Sequence, residues 1–149
     1  HERENLKNIH FDFLEEIEDI FVAAKDYLRN LKARGIQKDH ILQSSTLMLL
    51  DKNNMTRQYI DDYLQENQII IKDSIDISDM DLLIDFARIG VGVACVIKNF
   101  VREDLENGTL VEIPLGFPIH KREVGFAYKT TTKPSKSLAE FIHFYKTYR

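Results

Sequence analysis

The stretch Leu82-Leu83-Ile84-Asp85-Phe86-Ala87-Arg88-Ile89-Gly90-Val91-Gly92-Val93-Ala94-Cys95-Val96 constrains the fold more than any other part of the chain. Leu83, Phe86 and Ala87 fall on one face of a helix, Gly90 offers the permissive backbone that a helix stop wants, and Val91 to Val96 is an unbroken apolar run of strand length. The pattern predicts a helix that crosses directly into a buried strand.

The following residues extend the alternation. Lys98 to Gly108 reads as a short helix stopped by Asn107-Gly108, and Leu110 to Leu115 as a strand. Upstream, Ile20 to Ala24 reads as a strand, and Tyr27, Leu28 and Leu31 mark a short helix ending at Gly35. A connection over residues 36 to 45 leads to a strand at Leu47 to Leu50, a helix at Thr56 to Gln65, a strand at Ile69 to Ile77 and the helix Asp79 to Ile89. Near the end, Glu123 to Lys129 is strand-like. A last helix is expected from about Ser135, with Ser137 and Glu140 at capping-box spacing and a stripe of Leu138, Phe141, Ile142 and Tyr145. Strands alternating with helices predict an α/β arrangement around a mixed, largely parallel sheet. Phe11 to Glu18 is acidic, with apolar residues at mixed spacing, and its structure stays open at this stage.

The order of an acidic-apolar helix, Gly-x-Gly, an apolar strand, a short helix running as Phe100-Val101-Arg102-Glu103-Asp104-Leu105-Glu106-Asn107-Gly108, then Pro114 and a further strand, resembles the effector-binding region of LysR-type transcriptional regulators. Leu47 to Asp61 is similar to the first strand and helix of that family's second subdomain, and the likeness runs from about Asp19 to Tyr145. Ile97-Lys98 departs from the proline common in the family after this strand. The resemblance implies a type-II periplasmic-binding-protein-like subdomain over residues 19–120, preceded by the acidic segment 1–18 and followed by a strand and helix in 121–149 that return toward a first subdomain. It also implies that this is a fragment, with a DNA-binding head and the start of the first subdomain lying ahead of it. On that topology Glu123 to Lys129 and the final stripe would pack on strands this chain lacks. Unpaired edges and apolar faces invite association with another copy, so a homo-oligomer is expected.

Charge narrows the partners. The formal net charge of −4 argues against this segment gripping duplex DNA itself, because that affinity draws on Lys and Arg neutralising phosphates. The small basic clusters at Lys32 to Arg34 and Lys121-Arg122 read as solvated surface. Any DNA contact is therefore expected through the missing amino-terminal domain. A lone Cys95 cannot form an internal disulfide, the start of the chain is polar, and no apolar run approaches bilayer length, so a cytoplasmic protein without membrane contact is expected.

Two places offer ligand chemistry, because a helix amino terminus presents unpaired N–H groups and partial positive charge. Asn53, Asn54 and Thr56 lie between strand Leu47 to Leu50 and its helix; Ser78, Asp79 and Met80 lie between strand Ile69 to Ile77 and the next helix, with Ser78 as the expected cap. Both segments follow the carboxyl ends of strands, where open α/β sheets bind ligands. Helix capping alone also accounts for these residue types. The resemblance adds that the family's small-molecule effector sits in a cleft contacted by these two loops.

Other motifs carry little. Gly90-Val91-Gly92 lacks the third glycine of a dinucleotide fingerprint and precedes a strand. Cys95 between Ala94 and Val96 reads as a buried, inert thiol, and the five His show no paired spacing for a metal. The carboxylates form no acid-base pair of opposed environments, so no catalytic residue, no cofactor and no enzymatic activity are expected. The expected function is the effector-sensing part of a LysR-type regulator responding to a small anionic metabolite. The alternative is a solute-binding protein of the same fold.

Overall fold

A computed structural model describes residues 9–129 and 147–148. In chain order the elements are β1 (Ile9–Ile17), β2 (Asp19–Ala24), α1 (Lys25–Ala33), α2 (Ile41–Ser44), β3 (Thr46–Leu50), α3 (Met55–Glu66), β4 (Asp73–Ile77), α4 (Met80–Ile89), β5 (Val93–Ile97), α5 (Arg102–Asn107), β6 (Leu110–Glu112), β7 (Arg122–Lys129) and β8 (Thr147–Tyr148). The chain divides into two compact units, Asp19–Ile119 and the flanking segments that carry β1, β7 and β8.

In the larger unit five strands run in the order β4-β3-β5-β2-β6. Strand β3 pairs in parallel with both β4 and β5, whereas β2 is antiparallel to β5 and to β6. Four strands thus point one way and β2 alone points the other, which makes the sheet mixed and largely parallel. Successive strand residues face opposite sides. Phe21, Leu47, Leu49, Val93 and Cys95 meet α1 and α3 on one face, through Leu31, Ile60, Tyr63 and Leu64. Val22, Met48, Leu50, Ala94 and Val96 meet α4 on the other, through Leu83, Ile84 and Ala87. Cover on both faces is why β3 and β5 read as continuous apolar runs rather than alternating ones.

Helix α4 ends at Gly90, which adopts φ 92° and lets the Val91 N–H reach the Phe86 carbonyl at 3.1 Å. The face expected from the sequence shifts slightly: Ile84 joins Leu83 and Ala87 in the core, while Phe86 is half-buried at its edge.

Strand β4 is shorter than expected. Residues 69–72 are outside it, because the Ile69 N–H turns back to the Leu64 carbonyl at 2.9 Å, closing α3 around Gln68 at φ 57°. That is a Schellman-type stop with its hydrophobic contact supplied by Ile69, which packs half-buried on the core.

In the smaller unit β1 pairs antiparallel with β7 from Ile9↔Lys129 to Ile17↔Arg122, with a bulge between Phe11 and Phe13, and β8 lies on the other side of β7. The expectation that Glu123 to Lys129 lacks a partner in this chain is therefore corrected: β1 supplies one. The segment hid its strand because Ile9, Phe11 and Phe13 alternate but Leu14 follows Phe13 directly, a break in period that goes with the bulge between Phe11 and Phe13. The helix expected from Ser135, with its stripe Leu138, Phe141, Ile142 and Tyr145, lies outside the described residues.

Candidate functional site

The parallel register of β3 and β4, from Thr46↔Asp73 to Leu50↔Ile77, ends both strands at the same level of the sheet. Their following loops are consequently neighbours, and the Asp51 N–H donates to the Ile77 carbonyl at 3.0 Å. Asn54 is the N-cap of α3, its side-chain oxygen accepting from the Thr56 N–H at 2.8 Å. Before it, the Asp51 carboxylate accepts from the Asn53 N–H at 3.1 Å and shapes the turn.

The second loop differs from expectation. Asp79, not Ser78, caps α4, accepting from the Leu82 N–H at 2.8 Å in extended backbone geometry. Ser78 sits one residue too early to reach the first turn, and the carboxylate at Asp79 is the better match to a helix amino terminus. Met80 is half-buried against the core layer beneath α4.

The structure thus brings Asn53, Asn54, Thr56, Ser78 and Asp79 to one edge of the sheet. Asn54 and Asp79 each use an oxygen in capping, while the side chains of Asn53, Thr56 and Ser78 make no hydrogen bond to another described residue. Asn53 and Ser78 are exposed and Thr56 is half-buried. The electrostatics of the two helix ends are unequal. Asp79 and Asp81 place carboxylates at the start of α4, whereas α3 opens on neutral Asn54 with no acidic residue in its first turn.

Behind the first loop lies a residue that sequence reasoning missed. Arg57 donates through Nη1 to the Leu50 carbonyl at 2.9 Å and to Asp76 at 2.7 Å, and through Nε to Asp61 at 2.8 Å. Burial works against its charge, but the hydrogen bonds from Arg57 to Asp61 and Asp76 outweigh it and raise the guanidinium pKa further. The available signal was Arg57 and Asp61 at i,i+4 spacing in the opening turns of a helix.

Two cavities, of about 460 and 520 Å³, open along the β6 side of the sheet, the first beside Lys98, Arg102 and Leu105 and the second beside Leu28, Ile36 and Ile41. Neither is lined by the loop residues. Among the described residues, no group of three or more His, Cys, Asp or Glu could hold a metal ion, and no helix is long and apolar enough to cross a membrane.

No curated protein matches the sequence. Among solved structures, the fold is similar to full-length HypT from Salmonella typhimurium, a hypochlorite-specific LysR-type transcriptional regulator, at 20% identity and TM-score 0.66 over 92% of this chain and 46% of that one. The effector binding domain of QuiR in complex with shikimate is similar at 16% identity and TM-score 0.62, covering 95% of this chain and 66% of that one. The CcmR regulatory domain from Synechocystis in complex with 2-PG is similar at 12% identity and TM-score 0.60, with 95% and 76% covered. The chain therefore spans less than half of full-length HypT and about two thirds of the isolated QuiR domain. The model of the LysR substrate binding domain matches residues 2–149. With the match running over nearly its whole length, the chain belongs to the LysR substrate-binding domain family.

Proposed function

We propose that this chain is the effector-sensing part of a LysR-type transcriptional regulator, in which a small anionic metabolite at the ends of β3 and β4 alters the regulator's grip on DNA. The family match over residues 2–149 carries the reading, and it favours a regulator over a solute-binding protein of the same fold. Two relatives of the fold hold small molecules, shikimate in QuiR and 2-PG in CcmR. DNA contact belongs to a segment outside this chain, since the net charge of −4 supplies no surplus of cations for a duplex. The protein acts as a cytoplasmic homo-oligomer and has no catalytic role.

Within the site, Asn53, Asn54, Thr56, Ser78, Asp79 and Met80 divide the work. The ligand's negative charge lies toward the neutral opening of α3, where backbone N–H groups, Asn53 and Thr56 face it, and away from the carboxylate of Asp79. Ser78 serves the ligand's hydroxyl or carbonyl groups, and Met80 backs the loop from the core. Calorimetric titration with small carboxylates, shikimate among them, tests this. Thr56→Ala and Ser78→Ala should each weaken binding several-fold, on the scale of about 1 kcal/mol for a lost hydrogen bond, while thermal melts stay nearly unchanged. Unchanged affinity in both variants would sink the site assignment.

A further inference from the structure

The structure assigns Arg57 the role of a positioning residue that holds the two candidate loops in register. The purpose of that role, presenting one site to an effector, rests on the function proposed above; the mechanical coupling itself does not. The Arg57 side chain is 8% exposed, and its guanidinium lies where three elements meet. Leu50 and Arg57 bracket the first loop, and the bond from Nη1 to the Leu50 carbonyl closes that segment into a ring, reinforced by the Arg57 N–H donating to the Asn54 carbonyl at 3.0 Å. The same Nη1 reaches Asp76, one residue before Ile77, whose carbonyl receives the Asp51 N–H. One nitrogen thus fixes both the start of the first loop and the strand that launches the second.

Asp61 plays a different part. It sits one turn along α3 and holds Nε, aiming the guanidinium without touching either loop. A planar fork with several fixed donors can serve all three acceptors, whereas the single ammonium of lysine cannot match that geometry. Because the buried guanidinium is already engaged by the partly exposed carboxylates of Asp61 and Asp76, Arg57 acts through the loops and is not itself the group that meets a ligand.

The contrast between the two carboxylates supplies the test. Asp76→Ala and Asp61→Ala, both at partly exposed positions, are compared in the full 149-residue chain by amide hydrogen exchange and thermal melting. Removing Asp76 should speed exchange of the Asp51 and Leu82 amides together by about tenfold, by raising local opening. Removing Asp61 should leave both within about twofold at a comparable loss of melting temperature. Arg57→Lys should reproduce the Asp76 pattern, because it keeps the charge and loses the fork. Equal effects of the two alanine variants, or acceleration confined to β4, would overturn the proposal. The exchange measurement needs no ligand, so it separates the two ideas: coupled loops whose amide signals ignore shikimate and other carboxylates would remove the effector reading and leave the positioning role intact.

Discussion

The backbone of Gly92 runs so close to that of Thr46 that a methyl group on Gly92 would sit 2.3 Å from the Thr46 carbonyl oxygen. These two residues lie immediately before the parallel pairing of β3 with β5, which begins at Leu47↔Val93. Gly90 is different, with a left-handed backbone but only the Ala24 side chain, 3.9 Å away, near its missing methyl. Gly90→Ala should therefore cost about 1–2 kcal/mol from backbone conformation alone. Gly92→Ala should cost at least as much as a typical overpacking substitution, about 1–3 kcal/mol, and should loosen the β3–β5 pairing. Urea midpoints rank the two, and a harmless Gly92→Ala would contradict the close approach.

On α4, Leu83 is fully buried and Phe86 only half so. Leu83→Ala should destabilise by about 2–5 kcal/mol, and Phe86→Ala by clearly less than the roughly 3–5 kcal/mol of a fully buried phenylalanine. Equilibrium unfolding of the two variants checks the order; a larger effect at Phe86 would reverse the assignment of the helix face.

The cap of α4 gives a sharper contrast between adjacent residues. Asp79→Ala should lower stability by about 1 kcal/mol, whereas Ser78→Ala should stay within about 0.5 kcal/mol, as for an exposed surface position. Melting temperatures in low salt distinguish them, and the opposite order would return the capping role to Ser78.

Acid should reveal the bond between α4 and α5. Arg88 donates to both oxygens of Asp104 at 2.9 Å, and this pairing, working against burial, holds the Asp104 carboxyl below its usual value. A depressed folded-state pKa stabilises the protein above the unfolded value near 4 and loses that contribution as pH falls through the folded value. Asp104→Asn should therefore narrow the stability difference from the parent as pH drops from about 5 to 2. Denaturation midpoints across that range measure it, and a constant difference would assign the loss to packing instead.

Most of the Asp19–Ile119 unit was legible because its signals are local. The apolar runs at Leu47 to Leu50 and Val91 to Val96, the Gly90 stop and a cap among Asn53, Asn54 and Thr56 each follow from residues a few positions apart, although β5 itself starts at Val93 and the cap falls to Asn54. The misses share a cause, in that a non-local or competing partner took the group. Ile69 to Ile71 looks like strand, but the Ile69 amide belongs to the end of α3. Ser78 has the chemistry of a cap, yet Asp79 sits at the right step of the backbone. The pairing of β1 with β7 joins segments more than a hundred residues apart, and nothing local in either segment names the other. Arg57 was invisible for the same reason: two of its acceptors, Leu50 and Asp76, come together only once the strands pair.

The reversed strand β2 also sets a timetable for assembly. It is synthesised well before its two neighbours in the sheet, β5 and β6, which are about seventy and ninety residues behind it. Emerging from a ribosome at roughly 5–20 residues per second, β2 would wait seconds with both edges unpaired and its apolar residues Ile20 to Ala24 uncovered. Closing such long loops also slows the search in free solution. The β3-α3-β4 segment, whose contacts are near in sequence, can form early and offer a template, while β2 enters last between its two neighbours. A pause or truncation before Glu112 would leave that slot half built, and the exposed strand would be the segment for a chaperone to guard.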